Sequence, residues 1–195
     1  MKKFYAILAV LLLVSRLSVQ AQSWQSLVTS DLNMPSLGNS TYTSTAIDPS
    51  GIPYIAFRDG LNSSKLTVRK YVLNNWIVVG SAGFTPSTVG YVSMVIGSDG
   101  TPYVAFQDGS NSKASVRKFD GTSWVNVGAA AISSSNADYE SLAIDASGTL
   151  YLGYRDGSLS NKAVVKKFNG TSWVDAGSPT AISTGVGTFF SVTTD

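Results

Sequence analysis

The chain contains no cysteine and no histidine. Without cysteine there is neither a disulfide framework nor a thiolate metal site, and without histidine the commonest general base and metal ligand is missing. Charge is scarce as well: Asp, Glu, Lys and Arg make up only 13% of the 195 residues. Gly, Ser and Thr are abundant instead, a balance that favours strands and turns over helices. No segment shows the apolar spacing of an amphipathic helix.

The one long apolar run lies at the N-terminus. Lys2 and Lys3 precede the run Phe4 to Val14, and Val19-Gln20-Ala21 forms a small-x-small cleavage site, so residues 1–21 read as a secretory signal peptide cut before Gln22. The run is too short to span a bilayer, and Arg16 interrupts its C-terminal side. The expectation is therefore an exported protein, secreted or at the cell surface, with no membrane insertion after cleavage. Cleavage removes three of the 14 basic residues, leaving 11 against 12 acidic ones, a net charge of −1. The adjacent basic pairs that remain, Arg69-Lys70, Arg117-Lys118 and Lys166-Lys167, recur at one position of a repeat. They read as solvated strand ends, and no cationic stripe suited to nucleic acid is present.

That repeat runs through the remainder of the chain. Tyr42, Tyr91, Tyr139 and Phe189 are spaced by 49, 48 and 50 residues, and Trp76, Trp124 and Trp173 by 48 and 49. Each copy predicts four strands. The first covers Tyr42 to Asp48, Tyr91 to Gly97 and Tyr139 to Asp145, with small Ser44, Ser93 and Ser141 on the face opposite Ile47, Ile96 and Ile144. The second runs from Pro53, Pro102 and Leu150 to Phe57, Phe106 and Tyr154, and the third ends in Tyr71, Phe119 and Phe168. Asp120-Gly121 and Asn169-Gly170 then predict two-residue type I′ hairpins, with a weaker, longer loop near Asn74-Asn75 in the first copy. The fourth strand begins at each Trp and ends at Gly80, Gly128 and Gly177. Strictly periodic Trp points to packing between repeats rather than to a ligand platform.

Four-stranded antiparallel meanders every 48 to 50 residues predict an all-β fold, a β-propeller with blades at about 42–80, 91–128 and 139–177. The segments AIDPSGIPYIAFRDG and AIDASGTLYLGYRDG, each followed by a V-x-K-aromatic strand, resemble NHL repeats, while the period is nearer that of kelch repeats. They are also similar to propeller repeats of exported bacterial proteins. The Asp-box of sialidases, with Asp two before Gly, does not match, because Asp48 and Asp145 stand three before their Gly and Asp99 one before. Residues 23–28 read as a lone fourth strand and 187–195 as the start of a further blade. Three full blades plus two partial strands predict an incomplete propeller, completed by more blades of a longer chain or by oligomerisation.

Asp59-Gly60, Asp108-Gly109 and Asp156-Gly157 recur where the second and third strands join. Three carboxylates in near-identical contexts do not make an unequal acid/base pair, and Asx-type turns account for them. One Asp per loop is too few for calcium, so neither a metal nor a cofactor is predicted. The loops 81–90, 129–138 and 178–188 vary while the strands repeat, and binding residues concentrate on such loops. Arg58, Asp59, Gln107, Asp108, Arg155, Asp156 and Phe84 are the candidate ligand contacts, and no residue is assigned a catalytic role. The expected function is protein or glycan binding, or a surface scaffold. The alternative is part of a carbohydrate-active propeller enzyme, of glycoside hydrolase or lyase type.

Overall fold

A computed structural model describes residues 38–177, 181–189 and 191–194. The signal sequence at 1–21 and the lone strand at 23–28 lie outside the described residues. Twelve strands form three separate four-stranded antiparallel sheets, each a meander in chain order. The first blade comprises β1 (Ser40–Ile47), β2 (Pro53–Asp59), β3 (Lys65–Val72) and β4 (Asn75–Val78). The second holds β5 (Val89–Ile96), β6 (Pro102–Asp108), β7 (Lys113–Phe119) and β8 (Trp124–Asn126). The third holds β9 (Ala137–Ile144), β10 (Leu150–Asp156), β11 (Lys162–Phe168) and β12 (Trp173–Asp175). These are β-propeller blades, as the repeat predicts.

The hydrophobic core lies between blades, not within one. Tyr54, Leu66 and Val68 of the first blade pack against Met94, Val104 and Phe106 of the second. Ala105, Ala114 and Val116 do the same against Leu142, Leu152 and Tyr154 of the third. The periodic Trp fastens each joint: the Trp124 indole N–H donates to the Val79 carbonyl at 2.8 Å and that of Trp173 to Val127 at 2.7 Å. An aromatic that buries its ring and satisfies its one polar atom on the preceding blade serves packing, as its periodicity implies. At the inner edge the small serines have a second use. Ser44 accepts the Met94 N–H at 3.0 Å, Ser93 that of Leu142 at 3.0 Å, and Ser141 that of Val192 at 2.9 Å. Only a short hydroxyl side chain lets inner strands approach that closely.

Several local expectations are corrected. Asp120 and Asn169 do not start two-residue turns. Their side chains accept two backbone N–H groups each, from Thr122 and Ser123 and from Thr171 and Ser172, and hold four-residue loops. The tight two-residue turn is instead in the first blade, at Leu73 (φ 50°) and Asn74 (φ 63°), because Val72 and Asn75 still pair. The second strands also run two residues further than predicted, so the Asp of each Asp-Gly ends a strand rather than sitting in a loop. Of residues 187–195, read as the start of a further blade, those described carry no strand and have no ladder partner among the described residues. They still follow the repeat, with Phe189 at φ 51° and the Thr194 hydroxyl donating to the Ile144 carbonyl at 2.8 Å.

Candidate functional site

The Asp-Gly turns and the connections between blades share one face. Gly60, Gly109 and Gly157 donate their N–H to Asn39, Thr88 and Asn136, the residues just before each inner strand. The connecting loops differ in sequence but not in construction. Thr85, Ser133 and Ser183 accept the N–H of Leu66, Ala114 and Ala163, and donate to carbonyls two residues on.

The candidate contacts divide into two groups. Asp59 is buried, capping the turn Gly60–Asn62 through Leu61 N–H at 3.0 Å and taking bonds from Asn62 and Thr67 at 2.8 Å each. Asp156 is buried and accepts from the Ser158 N–H and hydroxyl, as Asp108 does from Ser110. Their lone pairs serve the turns. Phe84 lies flat on Trp124, ring centres 4.4 Å apart and 6° from parallel, inside the first joint. Arg58, Gln107 and Arg155 gather elsewhere, beside the inner strands.

There the first strand of every blade carries a bulge between Thr41 and Ser44, Gly90 and Ser93, and Asp138 and Ser141. At each bulge a tyrosine adopts positive φ: Tyr42 at 51°, Tyr91 at 48° and Tyr139 at 60°. Holding a bulky residue there costs about 1–2 kcal/mol, and such strain concentrates at functional positions. The rings form a ladder, with centres 5.3 Å apart from Tyr42 to Tyr91, 4.9 Å from Tyr91 to Tyr139, and 4.9 Å from Tyr139 to Phe189. A groove of about 430 Å³ follows it, lined further by Glu140 and Ser191.

Cationic and amide side chains stand over the ladder. The Arg155 guanidinium is 4.9 Å from the Tyr139 ring centre and that of Arg58 6.0 Å from Tyr42, both within cation–π range. Gln107, between them, donates to the Ala137 carbonyl at 2.6 Å and to Asp138 at 2.9 Å, joining two blades. Arg155 clamps the same carboxylate through Nε, at 3.1 Å, and Nη2. Burial first, and then the charge of Asp138, push the Tyr91 hydroxyl up, so it remains a hydrogen-bond donor.

Asp138 and Glu140 were not among the candidates read from the sequence. The signal for them was a break in the repeat, since Asp138 stands where the other blades have Thr41 and Gly90, and Glu140 where they have Thr43 and Val92. Glu140 is 6% exposed and neither carboxyl oxygen has a hydrogen-bond partner among the described residues. Burial pushes this carboxyl well above the usual range; its own backbone N–H acts against that without reaching bonding geometry, and the charge of Asp138 adds to it. Tyr154, opposite it on β10 where the other blades carry Phe57 and Phe106, also buries its hydroxyl unpartnered. Among the described residues no three acidic side chains converge as a metal site would require.

No protein-family model matches the chain, and no curated protein matches it. Solved propellers do. AofleA from Arthrobotrys oligospora superposes with a TM-score of 0.54 at 14% identity, over 73% of this chain and 42% of its own. An alpha-L-arabinanase from Penicillium chrysogenum, complexed with arabinobiose, gives 0.51 at 16% identity over 75% and 50%. A fucose lectin from Kordia zhangzhouensis, with methyl-fucoside, gives 0.48 at 18% identity over 70% and 98%. The chain thus spans half or less of the first two and nearly all of the third. At these identities the likeness establishes the fold, a β-propeller.

Proposed function

We propose that this chain is an exported carbohydrate-binding propeller module whose ligand lies along the tyrosine ladder. The observation that carries the reading is the ladder itself: three strained tyrosines and a phenylalanine in one row, with Arg155, Asp138 and Gln107 locked together beside it. A sugar ring presents apolar C–H faces and a rim of hydroxyls, each both donor and acceptor. Aromatic rings cover the first, and tyrosine hydroxyls, a carboxylate and an amide satisfy the second. An arabinanase bound to arabinobiose on the same fold supports the class of ligand. Export rests on residues 1–21, kinship with NHL repeats on the two segments quoted above, and kinship with kelch repeats on the period of 48 to 50 residues. The site needs neither cofactor nor metal.

The test is a glycan array probed with the purified chain, followed by titration of the best hit. Binding on the order of 1 mM per sugar, about −4 kcal/mol, that Tyr91→Ala and Tyr139→Ala abolish supports the reading. No binding anywhere on the array removes it.

One observation favours a second reading, a carbohydrate-active enzyme. Glu140, its carboxyl buried and pushed well above the usual range, stands two residues along the strand from Asp138, which is held in an ion pair with Arg155. Unequal carboxyl groups are what acid/base chemistry on a glycoside requires. Release of reducing sugar from an array hit, lost in Glu140→Gln, would select this reading over simple binding.

A further inference from the structure

The two joints between blades share one set of bonds. In the first, Val89 donates its N–H to the Ser64 carbonyl at 3.0 Å, Met94 to the Ser44 hydroxyl at 3.0 Å, and the Trp124 indole to the Val79 carbonyl at 2.8 Å. In the second, Ala137 donates to Ser112 at 2.9 Å, Leu142 to Ser93 at 3.0 Å, and Trp173 to Val127 at 2.7 Å. Two polar side chains set the second joint apart. Val92 and Phe106 pack into the core of the first, and Glu140 and Tyr154 stand at the same repeat positions in the second. Both Glu140 oxygens and the Tyr154 hydroxyl are buried without a hydrogen-bond partner among the described residues.

A carboxyl in that setting is far cheaper to bury as the neutral acid than as the anion, which needs water or a cation beside it. Its surroundings offer no relief. On its own strand Asp138 adds a second negative charge, and Arg155 is already bound to Asp138. On β10 Tyr154 keeps its proton, its hydroxyl pushed up by burial and then by Asp156, Asp175 and Glu140; Lys166 bonds Asp175. From blade two the core presents Ala105, Ala114 and Val116, with Tyr103 at its margin, and Tyr91 lies against Tyr139. An anion at Glu140 is therefore relieved by water entering between blades two and three, a local opening that costs less than global unfolding. We propose that the joint between blades two and three is a pH-sensitive hinge, closed while Glu140 keeps its proton and loosened once it becomes a carboxylate, whereas the joint between blades one and two does not respond. Opening frees Gln107 from the Ala137 carbonyl and from Asp138, and parts Tyr91 from Tyr139. The ladder is thus continuous when the joint is closed and divided at that step when it opens. The inference is independent of what the ladder binds.

The matched bonds make the first joint the control for the second. Hydrogen exchange of the purified, isotope-labelled chain is followed by NMR at pH 4, 5, 6 and 7, each rate corrected for intrinsic base catalysis. In the open joint the Glu140 carboxyl titrates near its ordinary 4.5, and in the closed joint well above it. Between those values the opening equilibrium rises about tenfold per pH unit, and below 4.5 it is flat. Protection of the Ala137 and Leu142 amides and the Trp173 indole is therefore expected to fall about tenfold per pH unit above 4.5. Protection of Val89, Met94 and the Trp124 indole stays level. Glu140→Gln and Glu140→Val, neither of which titrates, abolish the fall, and Tyr154→Phe retains it. Equal pH dependence in the two joints overturns the proposal, because the whole fold or neither joint then answers to Glu140. A fall confined to the second joint that persists in both Glu140 variants overturns it as well.

Discussion

Replacing Glu140 with valine, the residue its blade-two counterpart Val92 carries, should stabilise the protein in a pH-dependent way. In the folded chain the carboxyl is buried without a partner and pushed well above its usual value. In the unfolded chain it titrates normally, near 4.5. Between those two values the folded state holds one proton more than the unfolded state, so wild-type stability falls as pH rises. The slope is about 1.4 kcal/mol per pH unit for a single proton, and it ends where the folded carboxyl ionises. Below the unfolded value both states are protonated and the slope vanishes. Glu140→Val removes this term, so its advantage is small at pH 4 and grows steadily above about pH 4.5. Asp138 and Tyr154, the titratable groups that act on or near Glu140, are common to both proteins and largely cancel in the difference. Urea unfolding followed by tryptophan fluorescence at pH 4, 5, 6 and 7 gives the comparison directly. If wild type and variant show the same dependence on pH, Glu140 is ionised in the folded state and its assignment as a buried neutral acid is wrong.

Other outcomes follow from single contacts. Trp124→Phe keeps most of the ring packing but leaves the Val79 carbonyl unpaired in a buried joint, and should cost about 1–3 kcal/mol in denaturant unfolding. Tyr91→Ala keeps a side chain at φ 48°, whereas Tyr91→Gly removes the backbone strain, so the glycine variant should be the more stable of the two by about 1 kcal/mol. Gly80→Ala puts a Cβ at φ 74° and 2.9 Å from a Phe119 ring carbon, and should lower the urea midpoint. Asp138→Asn removes the ion pair with Arg155 and should weaken glycan binding by more than tenfold while changing melting little, because the pair is partly solvated.

The architecture was legible because it is repeated. Trp124 and Trp173 announced the joints through their period, and the strands of all three blades fell within a few residues of where alternation placed them. The turns were less legible, since Asp120 and Asn169 use their side chains to hold a four-residue loop and so compete with the hairpin their Gly neighbours suggest. The loops between blades looked free because Thr85, Ser133 and Ser183 differ in their surroundings, yet one hydroxyl geometry unites them. Arg58, Gln107 and Arg155 could be picked from sequence because they stand next to the recurring Asp-Gly turns, with Gln107 in place of the arginine of the other two copies. Asp138 and Glu140 break it too, but they sit in an inner strand whose bulge turns neighbouring residues to new directions, and no alternation rule reports a bulge. The tyrosine ladder was visible as a spacing of 49 and 48 residues; that it is a row of touching rings depends on positive φ at each bulge.

The central claim is that sugar binds on that ladder, and tyrosine ring resonances test it most directly. With the purified chain carrying labelled tyrosine, titration of a neutral oligosaccharide chosen from the array should shift Tyr42, Tyr91 and Tyr139 together and leave Tyr54 and Tyr71 unmoved. Shifts confined to Tyr54, Tyr71 or Tyr103, or none at saturating sugar, would contradict the account.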